Sequence, residues 1–266
     1  MRRFKMKKGT KALYIILCVI FVGIFIFAGY KLLEGEIGYF VARRAYDSLE
    51  KRFVSANNKT VKDNITEEGI VLDPEISPIS INFDELKVDC PDIAAWIYSP
   101  TITIINYPVV RFDDNSWYLN HRYDGAYSSS GTIFIDCANL TDFKNDNTII
   151  YGHHMNDGSM FAKLVNYKNQ DFYDENPVMY INTPTYNYRL EIFAGYVTKD
   201  DDDITYRFDF GTEQESQKFI DYAKSKSDFV GKFDVQPGDK FCTLSTCTYE
   251  YDNARYVVHA RMIPIH

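Results

Sequence analysis

The chain has 266 residues, 45% hydrophobic and 25% charged, the balance of a folded protein rather than a disordered one. Its net charge of −8 is unevenly held: Arg2, Arg3, Lys5, Lys7, Lys8 and Lys11 stand near the start with no acid among them, so the rest is more acidic than the total. An acidic remainder excludes nucleic acid as a partner, because phosphate binding takes clustered cations. The 21 Tyr and 19 Phe favour β-rich structure, where flat rings pack well on a pleated surface.

Residues 12–30 (ALYIILCVIFVGIFIFAGY) are uncharged and lie between Lys11 and Lys31. About 19 residues at about 1.5 Å each reach about 28 Å, enough to cross a bilayer core as a helix. Only a helix satisfies its own backbone where lipid offers no partner. A cleaved signal peptide has a shorter apolar stretch and a small-residue cleavage site, and this run has neither. The expectation is a single-pass anchor at 12–30, a basic cytoplasmic tail at 1–11, and everything after about residue 31 outside the cell.

Residues 31–78 read as a juxtamembrane helix and linker. Leu33, Ile37, Phe40, Ala45, Leu49 and Phe53 recur at helical spacing. Residues 55–78 are polar, with Asn57-Asn58, Asp73-Pro74 and Ser77-Pro78 as breaks. Residues 79–266 then form one domain of short strand signals, at 101–105, 107–112, 132–135, 147–151, 178–181, 188–197, 240–247 and 255–263. Eight short strands with few helices predict a mainly-β closed barrel, which leaves no sheet edge exposed. The clearest helix within it is 213–226, with Phe219, Tyr222 and Ala223 on one face.

Of the five cysteines, Cys18 lies in the apolar run as filler. Outside the cytoplasm cysteines often pair, which leaves a Cys90–Cys137 bridge open. Cys242 and Cys247 are five apart, so strand alternation sends them to opposite faces. Cys242 shares parity with Leu244 and reads as buried and inert. Cys247 closes its strand, where loops can leave a thiol accessible while rigid backbone aims it. A thiol nucleophile needs a polarised setting and a proton shuttle, which an imidazole supplies. Acyl transfer creates an oxyanion that a guanidinium and backbone amides can stabilise. Cys, His and Arg are therefore a sufficient set, although spacing alone does not select which ones.

The run Thr243-Leu244-Ser245-Thr246-Cys247, followed by Arg255-Tyr256-Val257-Val258, resembles the sortase signature. Tyr151-Gly152-His153-His154-Met155, Asn106-Tyr107-Pro108-Val109-Val110, Asp114-Asn115 with Tyr118-Leu119, and Gly131-Thr132-Ile133-Phe134-Ile135-Asp136 resemble segments of class B sortases, in the same order. The resemblance spans residues 80–263. It implies an eight-stranded sortase β-barrel with N-terminal helices, a helix between the sixth and seventh strands, and a cysteine transpeptidase activity. Carried over, Cys247 matches the nucleophile, His153 the acid/base and Arg255 the oxyanion-stabilising arginine. His153 is preferred to His154 because the family histidine directly follows glycine. By parity Arg261 rivals Arg255, but it lies about 20 Å further along its strand and reads as solvated. His121, His259 and His266 read as surface or structural. Ser245 on the face of the thiol, and the amide of Thr248, are candidate substrate contacts, and 206–228 a candidate groove wall. Cys90 and Asn106 depart from the family's usual Asn and Asp.

The resemblance further implies a secreted substrate with a sorting motif similar to Asn-Pro-x-Thr-Asn/Gly, and an amine acceptor on a peptidoglycan precursor of the lipid II kind, at the outer face of a membrane. A secreted cysteine protease and a pilin-polymerising sortase are the rival readings. A zinc module on Cys242, Cys247 and His153 or His154 lacks ligand spacing. No metal or cofactor is implied, and the acids at 200–203 read as a solvated loop, since cation sites need oxygens converging from several directions.

Overall fold

A computed structural model describes residues 8–57, 65–66, 69–70, 75–248 and 250–265. The chain divides into two units, residues 1–44 and a larger compact one from residue 45 to the C-terminus. One continuous helix, α1 (Lys8–Phe53), runs through both the apolar run 12–30 and the helical spacing that follows it. No proline interrupts it, and proline is what would break such a run. Among the described residues it is the one helix long and apolar enough to cross a membrane. Its last turns belong to the compact unit, where Tyr46, Leu49 and Phe53 are buried. Tyr46 Oη donates to the Gly131 carbonyl at 2.6 Å and its ring meets Tyr107 edge-on at 5.4 Å.

Beyond α1, β1 (Val54–Ala56) pairs with β4 (Ile79–Ile81), and β2 (Ile65–Thr66) with β3 (Gly69–Ile70). Most of the anticipated linker between β1 and β4 lies outside the described residues. A short helix, α2 (Phe83–Asp89), follows, its first turn capped by the Asn82 side chain accepting from the Glu85 amide.

Eight strands close a barrel: β5 (Ile93–Tyr98), β6 (Asn106–Arg111), β7 (Ile133–Ile135), β8 (Asn147–Tyr151), β9 (Val178–Asn182), β10 (Asn187–Lys199), β11 (Lys240–Cys247) and β12 (Ala254–Ile265). Around the wall they run β10-β12-β11-β8-β7-β6-β5-β9, with β9 returning to β10. The β6/β7 and β8/β11 pairs are parallel and the others antiparallel. Helix α3 (Gln170–Glu175) precedes β9, and α4 (Glu213–Lys226) fills the connection between β10 and β11, the sixth and seventh barrel strands. The Thr212 hydroxyl accepts from the Glu215 amide, acids occupy the first turn of α4 and lysines the last, so cap and macrodipole agree. Its Phe219, Ile220 and Ala223 pack on Phe193, Tyr196, Phe241 and Val257 of the barrel's outer surface.

Two readings need correction, and two left open are resolved. Residues 101–105 form a turn, not a strand: the Ser99 hydroxyl accepts from the Ile102 amide, and the missing eighth strand is β5. The apolar alternation there reflects buried Ile102 and Ile105 on a loop. The Cys90–Cys137 bridge, left open by sequence, is not made, both thiols being free; burial pushes the Cys90 thiol up, which suits an apolar filler. Arg261 is not simply solvated, because Glu191, itself buried, takes its guanidinium. Of the two readings of His259, surface or structural, the structural one holds: it is fully buried, because the second face of β12 lies under α4.

Candidate active site

The parallel pairing of β8 with β11 continues one residue past β8, where the Gly152 amide donates to the Ser245 carbonyl at 3.0 Å. A Cβ on Gly152 would stand 2.6 Å from the Phe161 ring, so no side chain larger than hydrogen fits there without displacing that ring. The chain then turns back: Phe161 donates its amide to the His153 carbonyl at 3.0 Å, and His154 bridges to Met160. His153 is thereby delivered beside the end of β11. Its Nε2 lies 2.6 Å from the carbonyl of Leu119, and since a carbonyl can only accept, Nε2 carries the proton. His154 turns elsewhere and donates from Nδ1 to the carbonyl of Cys247 at 2.9 Å.

On the barrel wall Cys247 is the register partner of Arg255, and Arg255 of Thr198 on β10. Partners in an antiparallel pair share a face with Cβ atoms about 4.5–5.5 Å apart, so the sulfur and the guanidinium leave the sheet side by side. Cys247 and Arg255 are half-buried. Both line a cleft of about 220 Å³ together with His153, Ser245, Thr246, Gly152, Tyr151, Tyr206, Leu119, Asn115, Phe134 and Asp200. The three residues singled out by sequence are therefore on one cleft. Cys242 is fully buried, and burial raises its thiol well above the ordinary range.

Tyr151 and Tyr206 stack across this cleft with ring centroids 6.2 Å apart. Tyr151 Oη donates to Asp136 at 2.9 Å, and burial followed by the Asp136 charge raises the phenol well above its usual range. Tyr206 Oη and Ser245 Oγ share a hydrogen bond at 2.9 Å. Burial pushes the Tyr206 phenol up to about 12, with Ser245 and Arg255 pulling the other way. Both rings are thus neutral at ordinary pH and offer apolar faces. Ser245 lies in the cleft, with its hydroxyl engaged.

Thr248 does not fit its expected role. Its amide donates to the Ala254 carbonyl at 3.1 Å and its hydroxyl bonds Glu250, so neither donor is available to an oxyanion. Arg255 donates from Nη1 to the Ala254 carbonyl at 3.1 Å and from Nη2 to Asp200 at 3.2 Å. Sequence reasoning left out Tyr151, Leu119, Asn115 and Asp200 as cleft residues. Tyr151 was within reach, being adjacent to Gly152; the others arrive through tertiary contact. Among the described residues no three His, Cys, Asp or Glu side chains cluster as a metal cage.

The sortase domain family model matches residues 97–263. Sortase B of Staphylococcus aureus is 31% identical over 249 residues, covering 93% of this chain and 95% of that protein. Sortase B of Listeria monocytogenes is 30% identical over 254 residues, with the same two shares. Among solved structures, a Staphylococcus aureus sortase B–substrate complex matches with TM-score 0.65 and 35% identity over 69% of this chain and 85% of that one. Sortase B from B. anthracis in complex with AAEK1 matches with TM-score 0.69 and 30% identity, over 86% and 99% of the two chains. By sequence and by the course of its barrel, the chain belongs to the sortase family, in its class B, and is a cysteine transpeptidase.

Proposed function

We propose that Cys247, His153 and Arg255 carry the transpeptidation, and that the substrate is a secreted protein with a C-terminal sorting motif similar to Asn-Pro-x-Thr-Asn/Gly. The observation that carries this reading is that a free thiol, an imidazole and a guanidinium from three separate segments line one peptide-sized cleft. The Cys247 thiolate attacks the Thr carbonyl carbon, a C–S bond forms, and negative charge builds on the carbonyl oxygen. Arg255, beside the sulfur on the neighbouring strand, donates to that oxygen. The C–N bond breaks as the leaving amine takes a proton from His153, giving a thioacyl-enzyme. An acceptor amine then attacks the thioester, gives its proton back to His153, and releases the thiolate as the new amide forms.

With Nε2 donating to Leu119, the other ring nitrogen, Nδ1, is the one left to take and give the proton. His154 acts through the backbone instead, holding the Cys247 carbonyl. The neutral Tyr151 and Tyr206 faces suit the apolar parts of an extended peptide. A peptidoglycan-precursor amine is the acceptor we assign, a reading in keeping with a sortase B structure solved in complex with triglycine. The apolar start of α1, residues 12–30, anchors the enzyme with residues 1–11 inside and the barrel outside.

The test incubates the enzyme with a fluorogenic sorting peptide, with and without triglycine, and follows products by chromatography. A peptide–triglycine adduct that depends on Cys247 supports transfer. Hydrolysis alone, at the same rate with or without the amine, would make the protein a protease.

A further inference from the structure

The acids at 200–203 lie on a mostly exposed loop, but two of them have fixed partners in the barrel unit. Asp202 is the anchor of this segment. Its Oδ2 accepts from Thr198 Oγ1 at 2.6 Å and from Tyr222 Oη at 2.5 Å, and its Oδ1 accepts from the amides of Ile204 and Thr205 at 3.1 and 3.0 Å. Just upstream, the Asp200 amide donates to the Asn253 carbonyl at 3.2 Å, one step beyond the last β10–β12 register pair, Lys199 with Ala254. Asp200 is thereby fixed on both sides at the mouth of the cleft. From there its carboxylate reaches Arg255 Nη2 at 3.2 Å.

That contact sits in a telling place. Thr198, Arg255 and Cys247 form a cross-strand row on β10, β12 and β11, and Asp200 lies two residues past the first of them. An arginine side chain carries about 2 kcal/mol of rotamer entropy, so a guanidinium left free at a cleft mouth spends little time in any one pose. Here two of its five N–H donors are committed, one to the Ala254 carbonyl and one to Asp200. The committed donors fix the fork and leave the others for the cleft that Arg255 lines. Side-chain exposures of 26% for Arg255 and 41% for Asp200 mean that water screens the pair, which makes it a weak source of stability but a usable source of orientation.

We propose that Asp200 is a positioning residue for the transfer reaction, holding the Arg255 guanidinium in the pose that receives the developing oxyanion. The proposal rests on the role assigned to Arg255 above. Asp200 acts through the arginine it holds, so its loss falls on the acylation rate more than on peptide binding.

The experiment uses the full chain in detergent micelles and measures acylation of Cys247 by a sorting peptide under single-turnover and steady-state conditions. Asp200→Asn is expected to lower kcat by about fivefold, the scale of one screened ion pair, with KM within about twofold of the parent. Asp200→Glu keeps the charge and restores most of that loss. The rate at which a methanethiosulfonate reagent labels the Cys247 thiol stays at the parent value in both variants. Raising salt slows the parent enzyme towards the Asp200→Asn rate and leaves the variant little changed. The proposal is overturned by a parental or increased kcat in Asp200→Asn, by a change confined to KM, or by Asp200→Glu as slow as Asp200→Asn. Arg255→Ala separates the two levels of the argument. A large loss there with none in Asp200→Asn removes Asp200 alone, whereas parental activity in Arg255→Ala removes the Arg255 role and the Asp200 proposal together.

Discussion

Two adjacent histidines stand at the end of β8, and they differ in what they touch. His153 faces the cleft with Nε2 on Leu119, while His154 spends Nδ1 on the carbonyl of Cys247 itself. His154→Ala therefore loosens the end of β11 and is expected to slow transfer without abolishing it, a partial loss that a steady-state assay resolves. Gly152 sets where both rings go. Adding a methyl group there forces the Phe161 ring aside, and overpacking of this kind costs about 1–3 kcal/mol. Gly152→Ala should melt at a lower temperature by calorimetry and lose activity in the same variant. The proposed catalytic residues were legible because each lies in a contiguous run with a family resemblance. Asp200 and Leu119 were not, because their relation to Arg255 and His153 exists only once β10 meets β12 and the 117–119 turn meets the loop after β8. Thr248 misled because sequence shows that an amide follows the thiol but not that Ala254 has already taken it.

Helix α4 and the strands beneath it explain why one face of β12 read as polar yet is buried. His259 lies under Phe219 of α4 and is held between Thr243 and Tyr196, through Nδ1 at 2.9 Å and Nε2 at 3.0 Å. Thr243 passes the network on to Asn147, and Tyr196 to Thr205. Burial pushes the imidazole down to about 3, with the Asp202 charge offsetting part of that. A histidine depressed in the folded state binds its proton only on unfolding. Its contribution to stability is therefore complete above the unfolded value near 6.5, and it declines as pH falls from there towards 3. Thermal melts should drop in temperature between about pH 7 and about pH 4, and His259→Gln should flatten that slope. On the same helix, Phe219→Ala is expected to cost about 3–5 kcal/mol by denaturant titration, and Thr212→Ala about 1 kcal/mol through the lost cap. The barrel strands were legible through alternation and turn residues in seven of eight cases, from β6 to β12. The exception, 101–105, has strand-like composition, but Ser99 closes it into a turn.

At the scale of the molecule, residues 1–44 and the closed barrel belong to two compact units. The barrel unit carries its own closed sheet and core, so residues 45–266 should be soluble and fold without residues 1–44, checked by circular dichroism and a single cooperative melt. The full chain should stay with membranes through alkaline carbonate washing, as a spanning helix does and a peripheral one does not. The general plan, helical spacing through Phe53 included, was readable from hydropathy and periodicity; that Tyr46 in its last turns meets Tyr107 and Gly131 was not, since spacing does not name a tertiary partner. What matters most is whether the sulfur at the end of β11 becomes acylated. Intact-protein mass spectrometry after mixing with a sorting peptide, without acceptor, reads this directly. The account predicts a thioester adduct mapping to Cys247, discharged by triglycine, absent in Cys247→Ala, and lost in His153→Ala but not in His154→Ala. An adduct that survives Cys247→Ala, or that persists in His153→Ala and vanishes in His154→Ala, would contradict it.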